Sequence, residues 1–526
     1  MPTELLIRDV RVPLEAAGED PVVLAAAHLC VPSDQVTSAE IVRRSIDARR
    51  GRPRFALSMR VRLDQVPAQL PQGAVTAPEE EPLAPPPKVS GRHDVVIVGA
   101  GPAGLFAALR MCQAGLKPTV IDRGRELESR QRDVSNLFAN GLLDPESNLH
   151  FGLGGAGAFS DGKLFTRQSH PAVRTVLSIL QEHGAGSRDD ILVDSQPHVG
   201  TDRWPAALER FREDLESQGC SFLFETRVTG LEVHEGRLSA LVLSEGRLPC
   251  EAAVMAPGNS SRDLFEGLHS AGVPLSPKSF AVGVRMTHPQ DIIDRIQYRG
   301  YAGHPALPAA SYQLTEKVGD RGVYSFCMCP GGTVIPTPTE PRRLALNGMS
   351  NAARDSGEAN SAVVVTVTPN DFGADDPLSG IRFQRKLEEA AYQAGGGGYQ
   401  APAQRLREFL EGQKPTDLPE VGYRPKVTPA DLRALLPGWI ADPLVKGLSA
   451  FFSKMKELDS PQSVVLGFET RTSSPVRILR SADGMSPRVA GLFPAGEGSG
   501  YAGGITSSAV DGIRAADELL DWLRKA

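Results

Sequence analysis

The chain runs to 526 residues, too long for one ordinary domain and enough for two or three at about 150 residues each. With 41% hydrophobic and 23% charged residues it can build a sizeable core, and a net charge of −6 gives no general attraction to nucleic acid or an anionic membrane. No apolar run reaches the ~20 residues of a membrane helix, and no basic start followed by an apolar core opens the chain, so the expectation is a cytoplasmic enzyme.

The first unit, residues 1–66, reads as a small α/β domain. Leu6, Val10, Val12 and Leu14 alternate with more polar positions, as in a half-buried strand. Pro21 to Cys30 is rich in Ala, Leu and Val and reads as a helix. Phe55, Leu57, Met59, Val61 and Leu63 then occupy every second position of a clean strand. A β-α-β-β unit of ferredoxin-like type is expected. Between Arg43 and Arg62 lie eight arginines and one acid, Asp47. They would contact RNA or an anionic partner, or else be solvated or dock this domain onto the next. No stacking aromatics are interleaved, which favours solvation or docking over nucleic acid.

Residues 67–92 form a Pro-rich linker, with Pro78, Pro82, Pro85, Pro86 and Pro87 around Glu79, Glu80 and Glu81, a composition that stays extended and solvated. Immediately after it, Asp94 to Val98 is a short apolar run of buried-strand type. It enters Gly99-Ala100-Gly101-Pro102-Ala103-Gly104 and a helix from Leu105 to Ala114. Gly99 allows the tight turn, Gly101 lets backbone approach a pyrophosphate, and Gly104 lets helix and strand pack closely. The helix N-terminus offers free N–H groups to phosphate. A second strand, Pro118 to Ile121, ends at Asp122, spaced as a carboxylate that accepts bonds from ribose hydroxyls and repels a 2′-phosphate.

A Gly-x-Gly-x-x-Gly pattern alone is weak evidence, and this chain repeats it at Gly152-x-Gly154-x-x-Gly157 and Gly498-x-Gly500-x-x-Gly503. The first lacks a convincing strand before it. The second lacks room for a following strand and acid. Only the copy at Gly99 has the full dinucleotide context. Gly491 to Glu497, a strand ending in a carboxylate and followed by a Gly-rich turn and the amphipathic segment Ser507 to Leu523, separates FAD from NAD: in flavoproteins of this architecture the last strand–helix unit returns to face the flavin. Ala253 to Gly258 is a further apolar strand ending in Gly. Gly395 to Gly398 and Lys414 to Pro419 read as loops.

Longer motifs carry a wider resemblance. They include Leu143 to Asn148, Phe159 to Leu164, Pro197 to Asp202, Tyr324 to Gly332, Asn347 to Ser350, Glu469 to Pro475 and Pro494 to Ile505, with Arg44-Ser45-x-Asp47-Ala48-Arg49 near the start. On these the chain resembles the bacterial and plastid family of FAD-dependent dehydrogenases within the glutathione-reductase-type superfamily. The resemblance implies the fold and FAD, and little about substrate. At Asn259 a histidine is expected from related sequences. The residues expected against FAD are Gly99, Gly101, Pro102, Ala103, Gly104, Asp122, Arg123, Gly154, Gly155, Ser160, Gly162, Lys163, Val228, Gly258, Gly496, Glu497, Gly503, Gly504 and Ile505.

Five side chains are candidates for the chemistry. Lys163 ends a glycine-rich loop and would stabilise charge on the reduced ring, or is a surface lysine at a turn. His198 lies in a tight loop with Asp202 and would exchange protons, or bonds a nearby carbonyl. Cys327 and Cys329, two apart, would face one side of a strand, as thiol nucleophiles, redox partners of the flavin or inert packed residues. Arg471 would bind a substrate carboxylate, or pairs with Glu469 or another acid. The six scattered cysteines lack a Cys-x-x-Cys, which suits reduced thiols and no metal site.

The expected fold is α/β: a discontinuous Rossmann-type FAD domain (93–270 and 469–526), a large α+β cap insertion (271–468) and the small N-terminal domain. The expected activity is a FAD-dependent oxidoreductase of dehydrogenase or oxidase type acting on a small organic molecule. NAD(P)H, if used, visits transiently. A flavin monooxygenase and a flavin-stabilised, RNA-associated binding protein are the alternatives.

Overall fold

The computed structural model describes residues 3–49, 51–65, 70, 73–78 and 82–525. The N-terminal unit is the expected β-α-β-β: strands Thr3–Pro13, Val36–Asp47 and Arg54–Leu63, with helix Pro21–Leu29 after the first. Met59, Val61 and Leu63 are buried at period two, but a bulge between Ile7 and Val10 breaks the alternation in the first strand, so Leu5 and Ile7 are buried where Leu6 was expected, with Val10, Val12 and Leu14 as expected. Another expectation changes here. The linker is not wholly extended and solvated, because Val75–Thr76 pairs antiparallel with Leu5 and Leu6 and caps the edge of the sheet. The strand order is second–third–first–fourth. Glu79, Glu80 and Glu81 lie outside the described residues.

Most arginines of the basic stretch are held by acids. Arg60 pairs with Glu4 at 3.1 Å, Arg49 with Asp47 at 2.9 Å, and Arg52 with Glu15. Arg44 meets Asp189 at 3.6 Å, and its carbonyl accepts from Ser195 N at 2.8 Å, so this face docks against the rest of the chain.

A five-stranded, wholly parallel sheet follows, ordered Leu492–Pro494, Ala252–Met255, Val95–Val98, Thr119–Ile121, Ser221–Leu223. Its central strand Val95–Val98 is buried at every position, because helices cover one face and an antiparallel sheet and a helix the other. Helices Pro102–Gln113 and Ile505–Leu523 pack together on the first face. They approach so closely that a Cβ at Gly512 would overlap Ala103 O. The C-terminal strand and helix thus return across the whole chain to the first strand. Against the other face lie the antiparallel strands Val228–His234, Arg237–Leu243 and Arg247–Pro249 and helix Arg262–Ser270.

The third body is a seven-stranded sheet, ordered Thr315–Val318, Arg321–Cys329, Glu358–Val367, Phe280–Pro289, Val464–Glu469, Ala401–Arg405, Val427–Pro429. All its pairs are antiparallel except the last. Helix Gly438–Lys454 packs into its core through Leu444, Leu448 and Phe451. The ends of Arg321–Cys329 and Val464–Glu469 deliver side chains toward the parallel sheet, and a cavity lies between the two bodies.

Candidate functional site

The cavity measures about 460 Å3, and the Gly99 turn forms one end of it. Three glycines serve three purposes there. Gly99 takes φ 106°, and a Cβ on it would overlap Ala256 O. A Cβ on Gly104 would overlap Gly99 O. A Cβ on Gly101 would find nothing nearer than Gly155 Cα at 3.8 Å. The missing side chain at Gly101 therefore leaves open cavity rather than permitting packing. Helices Pro102–Gln113 and Ile505–Leu523 both begin at this wall with a glycine cap, Gly101 and Gly504, and neither has a capping side chain. Their first N–H groups and positive dipole ends are the donors an anionic diphosphate needs.

Asp122 lines the cavity, but its carboxylate is heavily used. Oδ2 accepts from Ala100 N at 2.9 Å, and Oδ1 accepts from Gly124 N at 2.8 Å and Gly152 N at 2.7 Å. It therefore ties the Gly99 turn to the Gly152 loop, with lone-pair capacity left on Oδ2. Arg130, fully buried, fixes the same loop from beneath. Its guanidinium donates to Asn148 O at 2.8 Å, Leu153 O at 2.6 Å and Gly155 O at 2.7 Å, and stacks 4.8 Å from the Phe159 ring centre. Burial lowers the Arg130 pKa to about 9. Arg123 also lines the cavity, held by Glu146 and Asp263 at 2.8 Å each and lying over Phe151.

At the far end, Asp161 is buried and binds Lys163 Nζ at 2.7 Å, Arg354 at 2.9 Å and the Ser350 hydroxyl. Burial alone would raise its pKa, yet the two cations hold it well below the usual carboxylate range. Lys163 faces the cavity and lies 3.9 Å from Cys329 Sγ. Burial works against its charge, but the two cysteine sulfurs and Asp161 keep its pKa above the ordinary lysine value. Beside it, fully buried Arg285 pairs with Glu469 at 3.1 Å and donates to Asn347 Oδ1 at 2.8 Å. Glu469 lines the cavity, and burial pushes its pKa up to about 7 against the pull of Arg285. Glu497 likewise sits at about 7, raised by burial and opposed by Lys278 and a 2.9 Å bond from Asn259 Nδ2.

Asn259, standing where a histidine was expected, thus holds a carboxyl group on the cavity wall. Arg471 is occupied as well. It makes a two-pronged pair with Glu388, 3.0 and 2.9 Å, and reaches Ser260 Oγ and Thr339 Oγ1. Arg262 grips the same Glu388 from the other side at 2.7 Å. The internal ion pair is therefore the observed state, with Glu388 rather than Glu469 as partner. Next to it, His150 accepts or donates at Ser260 Oγ through Nδ1, while its buried Nε2 has no hydrogen-bond partner.

Of the residues expected against FAD, the cavity is lined by Gly99, Gly101, Pro102, Ala103, Asp122, Arg123, Gly155, Ser160, Gly162, Lys163, Val228, Gly258, Gly496, Glu497, Gly503, Gly504 and Ile505. Gly104 and Gly154 stand behind that wall, packed against Gly99 and Leu208. Of the chemical candidates, Lys163, Cys327 and Arg471 reach the wall. His198 does not; its Nε2 bonds Ala352 O at 3.2 Å, and burial lowers its pKa, so the carbonyl-bonding role is the one seen. Asp202 accepts from Ala352 N at 2.7 Å. Cys327 and Cys329 do not lie in a regular strand, since the pairing shifts register between Phe326 and Cys329. Cys327 lines the cavity and Cys329 is buried behind it. Sequence reading missed Arg130, Asp161, Arg285, Glu388 and Asn347, and the polar role of Glu469. All are ordinary residue types whose burial is set by segments distant in the chain.

The donor set suits FAD: two uncapped helix N-termini and an open glycine at one end, cationic and titratable groups at the other. A family described as "FAD-dependent protein, C-terminal domain-like" matches residues 279–472, an "FAD binding domain" matches 94–148, and a domain of unknown function matches 5–62. A protein of Clostridium beijerinckii described as uncharacterized is 43% identical over 431 residues, which is 81% of this chain and 80% of that one. A probable electron transfer flavoprotein-quinone oxidoreductase of Escherichia coli is 28% identical over 229 residues, 42% of this chain and 49% of its own. Among solved structures, the flavin-dependent brominase Bmp2 is 12% identical with a TM-score of 0.37, covering 83% of this chain and 80% of its own. A geranylgeranyl bacteriochlorophyll reductase-like protein of Thermoplasma acidophilum is 14% identical with a TM-score of 0.37, covering 82% and 79%. The chain belongs to the family of FAD-dependent proteins that includes the Clostridium beijerinckii protein, a family of flavin oxidoreductases, and FAD is its cofactor.

Proposed function

We propose that the protein is a FAD-dependent dehydrogenase or oxidase in which a small organic substrate enters the Lys163–Glu469 end of the cavity. The observation that carries this reading is that one continuous cavity joins the Gly99 turn to the Lys163, Glu469 and Cys327 wall. Its volume, about 460 Å3, lies in the range of ligand-binding clefts.

The bound flavin supplies the two-electron chemistry. The chain supplies the rest. The first turns of helices Pro102–Gln113 and Ile505–Leu523 would hold the phosphates and polar groups of FAD, and Asp122 ties the Gly99 turn to the Gly152 loop beside them. Lys163, kept charged by Asp161, stabilises negative charge gained on reduction. Glu469, with its pKa near 7, holds or releases a substrate proton at neutral pH. Gln313 and Asn347 offer polar groups that orient the substrate.

Stopped-flow reduction of the purified yellow protein tests this reading. Bleaching by a small organic donor without NAD(P)H is the expected result, and Glu469→Gln should remove the ionisation near pH 7 from that rate. Bleaching by NAD(P)H with oxygen inserted into a product would instead make it a monooxygenase. A protein that holds FAD and is reduced by neither would be a binding protein.

A further inference from the structure

Two short strands, Leu275–Pro277 and Val476–Ile478, pair antiparallel with Ser276 opposite Arg477. The register continues one step further, where Lys278 N donates to Pro475 O at 2.9 Å. Alternation then sorts the side chains. Leu275, Val476 and Ile478 turn to the apolar core that the parallel sheet shares with them. Ser276, Lys278 and Arg477 take the other face. Lys278 and Arg477 are diagonal neighbours there, a placement that sets two residues about 7–8 Å apart and within reach of each other when the side chains are long.

Both cations are half-buried, and among the described residues neither forms an ion pair with an acid. Lys278 Nζ reaches the Ser473 hydroxyl at 3.4 Å. The Arg477 guanidinium lies 5.2 Å from the Tyr501 ring centre, and its buried Nε has no hydrogen-bond partner. The Ser276 hydroxyl, opposite Arg477, is likewise without a bond among the described residues. Burial and then the Arg477 charge lower the Lys278 pKa, with Glu497 pulling the other way. Glu497 does not neutralise the pair, because its carboxyl, raised by burial to about 7, is bonded by Asn259 instead. Two half-buried like charges side by side repel, and a bound anion removes that cost. Tyr501 is itself fixed: Arg480 stacks 3.7 Å from its ring centre and pairs with Asp511 at 2.8 Å, and Asp511 accepts from Gly496 N at 2.8 Å. A Cβ on Gly500 would stand 3.1 Å from Arg477 Cα, so the loop 496–504 crosses the ribbon at Arg477. The same loop presents Gly496, Glu497, Gly503 and Gly504 to the cavity, which Ser276, Lys278 and Arg477 do not line.

We propose that Ser276, Lys278 and Arg477 form a binding site, outside the cavity, for a phosphate group, either free phosphate or the phosphate of a small-molecule ester. Two unpaired cations on one face match the two negative charges of phosphate better than the single charge of a carboxylate. Arg477, with its flat face on Tyr501, keeps its N–H edge for two phosphate oxygens, and Lys278 and the Ser276 hydroxyl supply the remaining donors. Contact through Gly500 and Tyr501 ties the bound group to the loop that walls the cavity. The site goes beyond the dehydrogenase or oxidase reading and does not depend on it.

Isothermal titration calorimetry of the holoenzyme with inorganic phosphate, at an ionic strength held constant with chloride, tests the proposal. A single saturable site per chain is expected. Lys278→Met and Arg477→Met should each weaken it by about tenfold or more, and Arg247→Met, at an exposed arginine paired with Glu232, should leave it unchanged. Crystals of the natural protein soaked in tungstate give a readout that needs no variant to fold, with anomalous density expected between Lys278 and Arg477. Glycerol phosphate separates the two sources of the group. Binding about tenfold tighter than inorganic phosphate marks an ester as the ligand, and equal binding marks free phosphate. Absence of a saturable site, unchanged affinity in both variants, or tungstate bound only elsewhere would overturn the site and leave the flavin reading intact.

Discussion

Gly101 and Gly104 lie three residues apart, yet a methyl group should act on them in opposite ways. At Gly101, whose φ of −81° suits any residue, the added Cβ clears all protein atoms and projects into the cavity. Gly101→Ala should therefore fold with an unchanged melting temperature and lose FAD affinity by about tenfold or more, near 1.4 kcal/mol, in a fluorescence titration. Gly104→Ala drives its Cβ into Gly99 O, and should cost about 1–3 kcal/mol in urea unfolding, with cofactor loss following from misfolding. Equal behaviour of the two variants would contradict this assignment. The two raised carboxyls make a pH prediction at the same scale. Glu469 and Glu497 ionise near 4.5 when unfolded and near 7 when folded. Between those values the folded protein keeps protons that the unfolded chain has released, so their contribution to stability falls as pH rises through the window. Asp161 and Glu388, held low by their cations, have the opposite sign: their stabilisation is present above the unfolded carboxylate pKa and is lost on acidification. Glu497→Gln should flatten the loss of apoprotein melting temperature between pH 4.5 and 7.

Elements meet at the site through buried ions as well as apolar contacts. Glu388, on helix Ser379–Ala394, is gripped by Arg262 at the start of helix Arg262–Ser270 and by Arg471 just after strand Val464–Glu469. Replacing it with Gln leaves Arg471 without a carboxylate and Arg262 with Glu340 alone, and should destabilise the protein by about 3–5 kcal/mol. Breaking the exposed pair Arg247–Glu232 should cost less than about 1 kcal/mol, a control measurable in the same denaturation series. Arg130 plays the equivalent part for the glycine-rich loop, satisfying three carbonyls that no regular element would otherwise reach. Its replacement by Met should loosen that loop, visible as faster amide exchange from Gly152 to Phe159 and weaker FAD binding. Periods were legible where an element buries one face, as strand Arg54–Leu63 does. The bulge at Cys327 was not, because its cause is the register of a partner strand some thirty residues away.

Across the whole molecule, the two Gly-rich segments set aside as incomplete dinucleotide motifs turn onto the same cavity as the Gly99 turn. Gly155 and Gly157 form one wall, and Gly496, Gly503 and Gly504 another. Of their six pattern glycines only Gly157 and Gly503 line the cavity, whereas Gly152, Gly154, Gly498 and Gly500 make room for neighbouring protein atoms. The sequence by itself determined the βαβ turn at Gly99, the N-terminal β-α-β-β unit, the returning C-terminal strand and helix, and FAD. The turn and the β-α-β-β unit follow from local period and spacing, which short-range backbone geometry dictates; FAD and the returning C-terminal unit follow from the resemblance to flavoproteins. Tertiary structure alone decided that Arg471 belongs to Glu388, that Asp122 is bound by three backbone N–H groups, that His198 stands off the cavity, and that Glu469, Asn259 and Cys327 line its far wall. Charge and hydrogen-bond partners inside a protein are chosen by burial, where an unpaired ion is costly, and burial depends on which distant segments the fold brings together.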